Sequence, residues 1–233
     1  MSHLKLFELS VAACWVSACT QDVDPAWQLD HDRVIAVQIT PNRIGAGEQA
    51  TVAALLGRKA LPPIEGSPST VEVVSPTSLA EALRGPEPQW TIATPSQAML
   101  DSARDELGLA AGEPVPLQLR MTFAPNGLVA RKIVWLGEHA DNPVVGAVFV
   151  DGIDRSSAAS VMVAPHVDVA LAVDFDDHFN INWLTSCGTM HDFDLANAYL
   201  RVEPGDPTSG VLGVVVRDDA GGVAWRLWPI AAE

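Results

Sequence analysis

Between Val167 and Phe175 the chain alternates without a break. Val167, Val169, Leu171, Val173 and Phe175 fall on one side, and Asp168, Ala170, Ala172 and Asp174 on the other. Successive side chains of a strand point to opposite faces, whereas a helix would spread these apolar residues around its circumference. The segment is therefore committed to a half-buried strand. Such a strand needs neighbours in a sheet and a second layer to cover its apolar face.

The same period recurs along the chain. Val34 to Ile39 is a β-branched run closed by Thr40-Pro41, and Ala50, Val52, Ala54 and Leu56 alternate with Gln49, Thr51, Ala53 and Leu55 beyond a Gly45/Gly47 turn. Leu117, Leu119, Met121 and Phe123 lead through Pro125-Asn126-Gly127 into Leu128 to Trp135, a hairpin whose turn residues tolerate positive φ. A second unit repeats the plan. Val144 to Val150 reads as its first strand, followed by Val167–Phe175, Ile181 to Leu184 with Trp183 in the core, and Ala198, Leu200 and Val202. Leu212, Val214 and Val216 then turn through residues 217–222 into Val223, Trp225 and Leu227. Each unit opens on an aliphatic strand and closes on a hairpin. The expected fold is mainly β, two tandem immunoglobulin-like β-sandwiches over residues 33–138 and 142–233. The first carries a short helical insertion at about 76–109. There Ser75-Pro76 opens a short helix towards Gly85. Thr94-Pro95-Ser96-Gln97 reads as a cap, with Pro first and Gln completing a capping box. Met99, Leu100, Ala103 and Leu107 share a face, and Gly108 stops the helix.

Charge narrows the function classes. The chain has a formal net charge of −15, with 14 basic residues spread thinly along 233 positions and no basic stripe. Nucleic-acid binding needs clustered cations facing phosphates, and docking on anionic lipid needs a polybasic segment, so neither is expected. Hydrophobic residues make up 48% of the chain, too many for a disordered one. His-Glu-x-x-His, Gly-x-Ser-x-Gly, P-loop and dinucleotide-binding patterns are all missing, so no enzyme is expected.

The first 18 residues read as an address. Lys5 gives a short positive region, Leu9 to Val16 an apolar run too short to span a bilayer, and Val16-Ser17-Ala18-Cys19 follows. That tetrad resembles the lipobox of bacterial lipoproteins. The resemblance implies cleavage before Cys19, a diacylglycerol on its thiol, and a lipid anchor to the membrane. Residues 19–32, acidic and aperiodic, then read as a tether. Thr20-Gln21 places no acidic residue beside the anchor, which by the same resemblance implies the outer membrane. Cys14 leaves with the signal segment and Cys187 is left alone; an unacylated Cys19 would be free to pair with it.

Chemistry-bearing residues concentrate in the second unit. Asp174, Asp176 and Asp177 form an acidic loop beside His178, and Cys187, His191, Asp192 and Asp194 follow Trp183. Cys187 and His191 have a Cys-x3-His spacing that His178 and Asp192 would complete as a zinc set. Asp174, Asp176 and Asn180 offer oxygens to calcium, although no EF-hand register is met. The competing readings are a buried small hydrophobe for Cys187 and a solvated rim for the rest. No cofactor is the leading expectation, with zinc or calcium the alternative.

The closing segment Val214 to Trp225 and the block Asn182 to Thr189 resemble strands of Ig-like domains in Gram-negative cell-envelope lipoproteins. The resemblance implies an envelope location and a binding or structural role, and it transfers no catalytic residue. The expected partners are the membrane, through the anchor, and an envelope protein or extracellular ligand. A metal-dependent protein, possibly a hydrolase with its site in the second unit, and an accessory subunit of a larger envelope assembly are the other readings.

Overall fold

The computed structural model describes residues 25–86, 89–175 and 178–233. The signal segment, Cys19, Asp176 and Asp177 lie outside the described residues. The first sandwich is built from β1 (Arg33–Thr40), β2 (Arg43–Ile44), β3 (Gln49–Arg58), β4 (Leu61–Gly66), β5 (Thr70–Ser75), β6 (Leu83–Arg84), β7 (Thr91–Ala93), β8 (Val115–Phe123) and β9 (Leu128–Leu136). The second uses β10 (Val148–Val150), β11 (Ile153–Asp154), β12 (Val161–Val163), β13 (Asp168–Val173), β14 (Asn180–Thr185), β15 (Thr189–His191), β16 (Asn197–Arg201), β17 (Ser209–Arg217) and β18 (Val223–Ala232).

Sheet β1-β3-β7-β6, with β4 added on β3, faces sheet β2-β9-β8-β5. Sheet β11-β10-β13-β16-β15 faces sheet β12-β18-β17-β14. The two sandwiches share one strand order: β1, β3, β7 and β6 correspond to β10, β13, β16 and β15, and β2, β9, β8 and β5 to β12, β18, β17 and β14. In both, the chain crosses early to the opposite sheet and runs parallel to the last strand, β2 beside β9 and β12 beside β18. This order is that of an immunoglobulin-like domain, four strands against three with a split first strand.

The alternation places the cores as expected, except that Val167 and Phe175 fall outside β13 and are exposed. Val169, Leu171 and Val173 meet Trp183, Leu212, Val214, Val216 and Trp228 in the second core. Val52, Ala54 and Leu56 meet Leu117, Leu119, Met121 and Phe123 in the first. The insertion is a 3-10 turn at Thr77–Ala82 and one helix, α1 (Gln97–Leu107), with the short strands β6 and β7 between them. The α1 N-cap is Ser96, whose Oγ accepts from Met99 N at 3.3 Å, two residues beyond the expected Thr94. Gln97 donates to Asp101 instead of closing a capping box. Gly108 ends the helix at φ 68. Leu100 and Ala103 are buried, and Glu106 accepts from Thr77 N at 2.8 Å and Ser78 N at 3.2 Å, tying α1 to the 3-10 turn.

Two expectations are corrected. The first strand of the second unit is only Val148–Val150, because residues 142–147 make no ladder and Val144 is 82% exposed. The expected tether is docked over its second half. Thr185 N donates to Trp27 O and Leu29 N to Thr185 O, both at 2.9 Å, and Leu29 is fully buried. Leu29 belongs to a third core between the sandwiches, with Ala36 and Leu55 on the outer faces of β1 and β3, and Leu184, Val215 and Val223 on the outer faces of β14, β17 and β18. Asn142 binds the junction from the linker: its Nδ2 donates to Ile39 O at 2.8 Å and its Oδ1 accepts from Val223 N at 3.0 Å. Gln38 donates to Val223 O at 2.7 Å, and Trp225 Nε1 to Glu65 at 2.9 Å. The sandwiches therefore pack side against side over an apolar seam bordered by these hydrogen bonds.

Candidate functional site

Cys187 follows β14 and is fully buried in the second core. Its Sγ donates to Pro207 O at 3.0 Å, and its N–H and C=O both bond Thr185 Oγ1. Burial, with a smaller contribution from Asp206, pushes the thiol above its usual range, so it stays protonated. His191 is on β15 opposite Tyr199 and exposed, because the strand turns Met190 inward instead. Asp192 follows at φ 54 in the turn closed by Leu195 N. His178 is exposed in the turn before β14, and Asp174 is exposed after β13, its N–H bonded to Ala147 O at 2.8 Å. The Cys-x3-His spacing spans the passage from one sheet to the other and does not form a tight ligand turn, so the thiol faces the core and the imidazole faces solvent. Among the described residues no group of three or more His, Cys, Asp or Glu side chains is arranged to hold a metal.

A different feature emerges at the domain junction. β9 is the last full-length strand of its sheet, and β2 pairs with it only at Trp135 and Leu136. Gly137 N donates to Ile44 O on that side. By the alternation of an antiparallel ladder, Val129, Arg131 and Ile133 then turn their backbone N–H and C=O to the same open side. Across the mouth of the sandwich lies β1, the edge of the opposite sheet. The two edges border an open groove of about 440 Å³, walled by residues 34–37 and 129–132 and closed at one end by residues 217–218 and 221–223 of the second sandwich.

The end wall is a hairpin turn shaped by two glycines. Gly221 has φ 86, where a side chain is strained, and a Cβ on Gly222 would fall 2.4 Å from Asp218 Oδ2 and 2.7 Å from Pro143 Cδ. Asp218 Oδ1 accepts from Gly222 N at 2.6 Å. The turn carbonyl of Gly221 accepts from Lys132 Nζ, which enters from the inward face of β9. Desolvation lowers the Lys132 pKa, with Arg217 adding to the shift and Asp218 opposing it. Arg217 donates to Asn182 Oδ1 at 2.5 Å and to Ile35 O at 3.0 Å, and its burial also lowers its pKa.

On the outer face of β9, Val129 is 50% and Ile133 46% exposed, with Arg131 between them. Arg131 stands directly opposite Arg120 of β8, a like-charge cross-strand pair that destabilises the sheet. Arg120 reaches Glu72 at 3.5 Å, whereas Arg131 has no ion-pair partner among the described residues. A second depression of about 260 Å³, lined in part by Val74, Gln118 and Ile133, borders Arg131 on that face. The sequence reading missed this site because Arg120 and Arg217 reach Arg131 and Lys132 from separate segments of the chain. The free edge is a fact of how short β2 is.

No family model and no curated protein matches the chain. Among solved structures, murine CEACAM1b is similar at 12% identity and a TM-score of 0.27, covering 85% of this chain and 99% of that one. The three N-terminal domains of the outer capsid protein Hoc of bacteriophage RB49 match at 13% identity and a TM-score of 0.25, covering 87% of this chain and 59% of that one. Domains EC1-2 of human mucin-like protocadherin match at 10% identity and a TM-score of 0.23, covering 85% and 98%. The fold assignment rests on the strand order of this chain.

Proposed function

We propose that this chain is a non-catalytic binding module of the bacterial cell envelope, held at the outer membrane by diacylated Cys19 and engaging a partner protein through the groove beside β9. It works without a resident metal and has no part in nucleic-acid binding. The observation that carries the reading is the backbone of Val129, Arg131 and Ile133, which pairs with no strand among the described residues and is set between exposed apolar side chains at the domain junction. A bare strand edge is a ready site for a partner, and a protein that keeps one exposed without use risks aggregation. The lipobox resemblance at Cys19 supports the location.

The test is made on the full chain in a Gram-negative host. Radiolabelled palmitate should enter the wild type and fail to enter Cys19→Ala. A photo-crosslinking residue at position 133 should give a discrete adduct, and one at position 162, exposed on the other sandwich, should not. An unlabelled wild type would refute the anchor; equal background at both positions would refute the groove as the binding site.

A further inference from the structure

We infer that the groove receives an acidic, extended polypeptide segment, which adds to β9 as a strand. This rests on the binding-module reading above and names the chemistry of the partner.

The two sandwiches supply their own comparison. In each, the last strand is paired on its outer side only near its end: β9 by β2 at two residues, and β18 by β12 at Ile230–Ala232. In the second sandwich the start of the remaining edge is covered. Val223 is 2% exposed, its N–H donates to Asn142, its C=O accepts from Gln38, and Trp225 reaches Glu65. In the first sandwich the equivalent edge lines the groove over Val129 to Lys132 with β1 across its mouth, and among the described residues the hydrogen bond it receives from the other sandwich is the Lys132–Gly221 bond. One fold used twice thus has the start of one edge covered by protein, whereas on the other the backbone of Val129, Arg131 and Ile133 pairs with no strand among the described residues.

Charge selects the segment. Residues 142–233 carry four basic and thirteen acidic side chains, and residues 33–138 carry nine basic and ten acidic. Within that near-neutral half, Arg120 and Arg131 stand side by side on the outer face of β8 and β9, and Arg131 and Lys132 line the groove together with Arg217 and Asp218 of the acidic half. Arg120 and Arg131 repel each other, and the repulsion is relieved by an anion placed beside Arg131. Side-chain alternation then sets a register. A strand lying parallel to β9, as β2 does, places apolar residues beside Val129 and Ile133, a small residue beside Ala130, and carboxylates beside Arg131 and Lys132.

The peptide acetyl-Thr-Val-Ala-Glu-Glu-Val-Thr-amide, fluorescently labelled, is titrated against the full chain in mild detergent. It should bind, and the affinity should fall at least tenfold with Arg131→Glu, whose fold is checked by circular dichroism. The same peptide with both Glu replaced by Lys should not bind. Methylation of alternate backbone nitrogens on the face that pairs with β9 should cost at least tenfold, because it removes the donors while keeping the charge. Equal binding of the Lys peptide would overturn the charge assignment, and equal binding of the methylated peptide would overturn strand addition. A dimer of the wild type that Arg131→Glu dissociates would make a second copy the occupant and overturn the proposal. No peptide binding alongside a persisting adduct at position 133 would overturn the acidic-strand chemistry and leave the binding-module reading standing. Loss of both would remove both.

Discussion

Leu55→Ala should uncouple the two sandwiches. Leu55 is fully buried, yet its side chain leaves the core face of β3 and enters the seam with Leu184, Val215 and Val223. Truncation removes three carbons, which at ~0.8 kcal/mol per methylene is about 2.4 kcal/mol of lost transfer free energy. The residual cavity raises the expected cost to about 3 kcal/mol, within the range of roughly 2–5 kcal/mol for buried Leu truncations. The loss falls on the junction, because each core keeps all its side chains. Urea unfolding followed by far-ultraviolet circular dichroism and by Trp fluorescence reports both units, since Trp183 and Trp228 sit in the second core and Trp90 packs on the first. The wild type should unfold with coincident curves, and Leu55→Ala should separate them. Leu119→Ala, in the first core, should lower the transition of that sandwich by a similar amount. A Leu55→Ala variant within about 0.5 kcal/mol of the wild type would refute the seam as a source of stability, since that is the size of an ordinary surface substitution.

Three further outcomes follow from local chemistry. Glu48 accepts from Gly45 N at 2.8 Å and lies 2.9 Å from His139 Nδ1; the bond between them raises the His139 pKa and is the main cause of the lowered Glu48 pKa. The His139 contribution is complete below its unfolded pKa and lost as pH rises through the raised folded value. The Glu48 contribution is present above its unfolded pKa and lost as pH falls through the depressed one. The pair is thus strongest between the two, and an NMR titration should place the imidazole midpoint above 6.5 in the wild type and lower in Glu48→Gln. Ser96→Ala should cost about 1 kcal/mol in urea unfolding through the lost cap bond to Met99 N, and an unchanged midpoint would show that the cap is idle. In a Cys14→Ser, Cys19→Ser background, Cys187 should resist a thiol reagent until the second sandwich opens; fast labelling of the native protein would contradict its burial and its bond to Pro207 O.

The candidate chemistry shows where reading the sequence runs out. Cys187 and His191 are four positions apart, but the chain passes from one sheet to the other between them, so their side chains part company. Nothing in the spacing encodes that passage. Arg131 and Lys132 are adjacent in sequence, while Arg120 meets Arg131 through the β8–β9 hairpin register and Arg217 reaches the groove from the other domain. Leu55 and Val215 look like interruptions of an alternating pattern. They are buried because a second apolar surface covers the outer faces of their strands.

The sequence by itself determined what depends on neighbours along the chain. Period-two alternation chose strands, Asn126-Gly127 and Gly221-Gly222 placed hairpin turns, and Gly108 ended the helix, whose cap fell at Ser96, two residues beyond the expected Thr94. Each follows from side-chain direction or backbone freedom within a few residues. Only the tertiary structure decided which strand edge is covered. Each last strand has the same local pattern, yet the start of β18 is covered at the junction and β9 borders a groove, because the apolar seam sets the two units side by side. Edge pairing and charge clustering are long-range outcomes, and they appear only once distant segments share one surface.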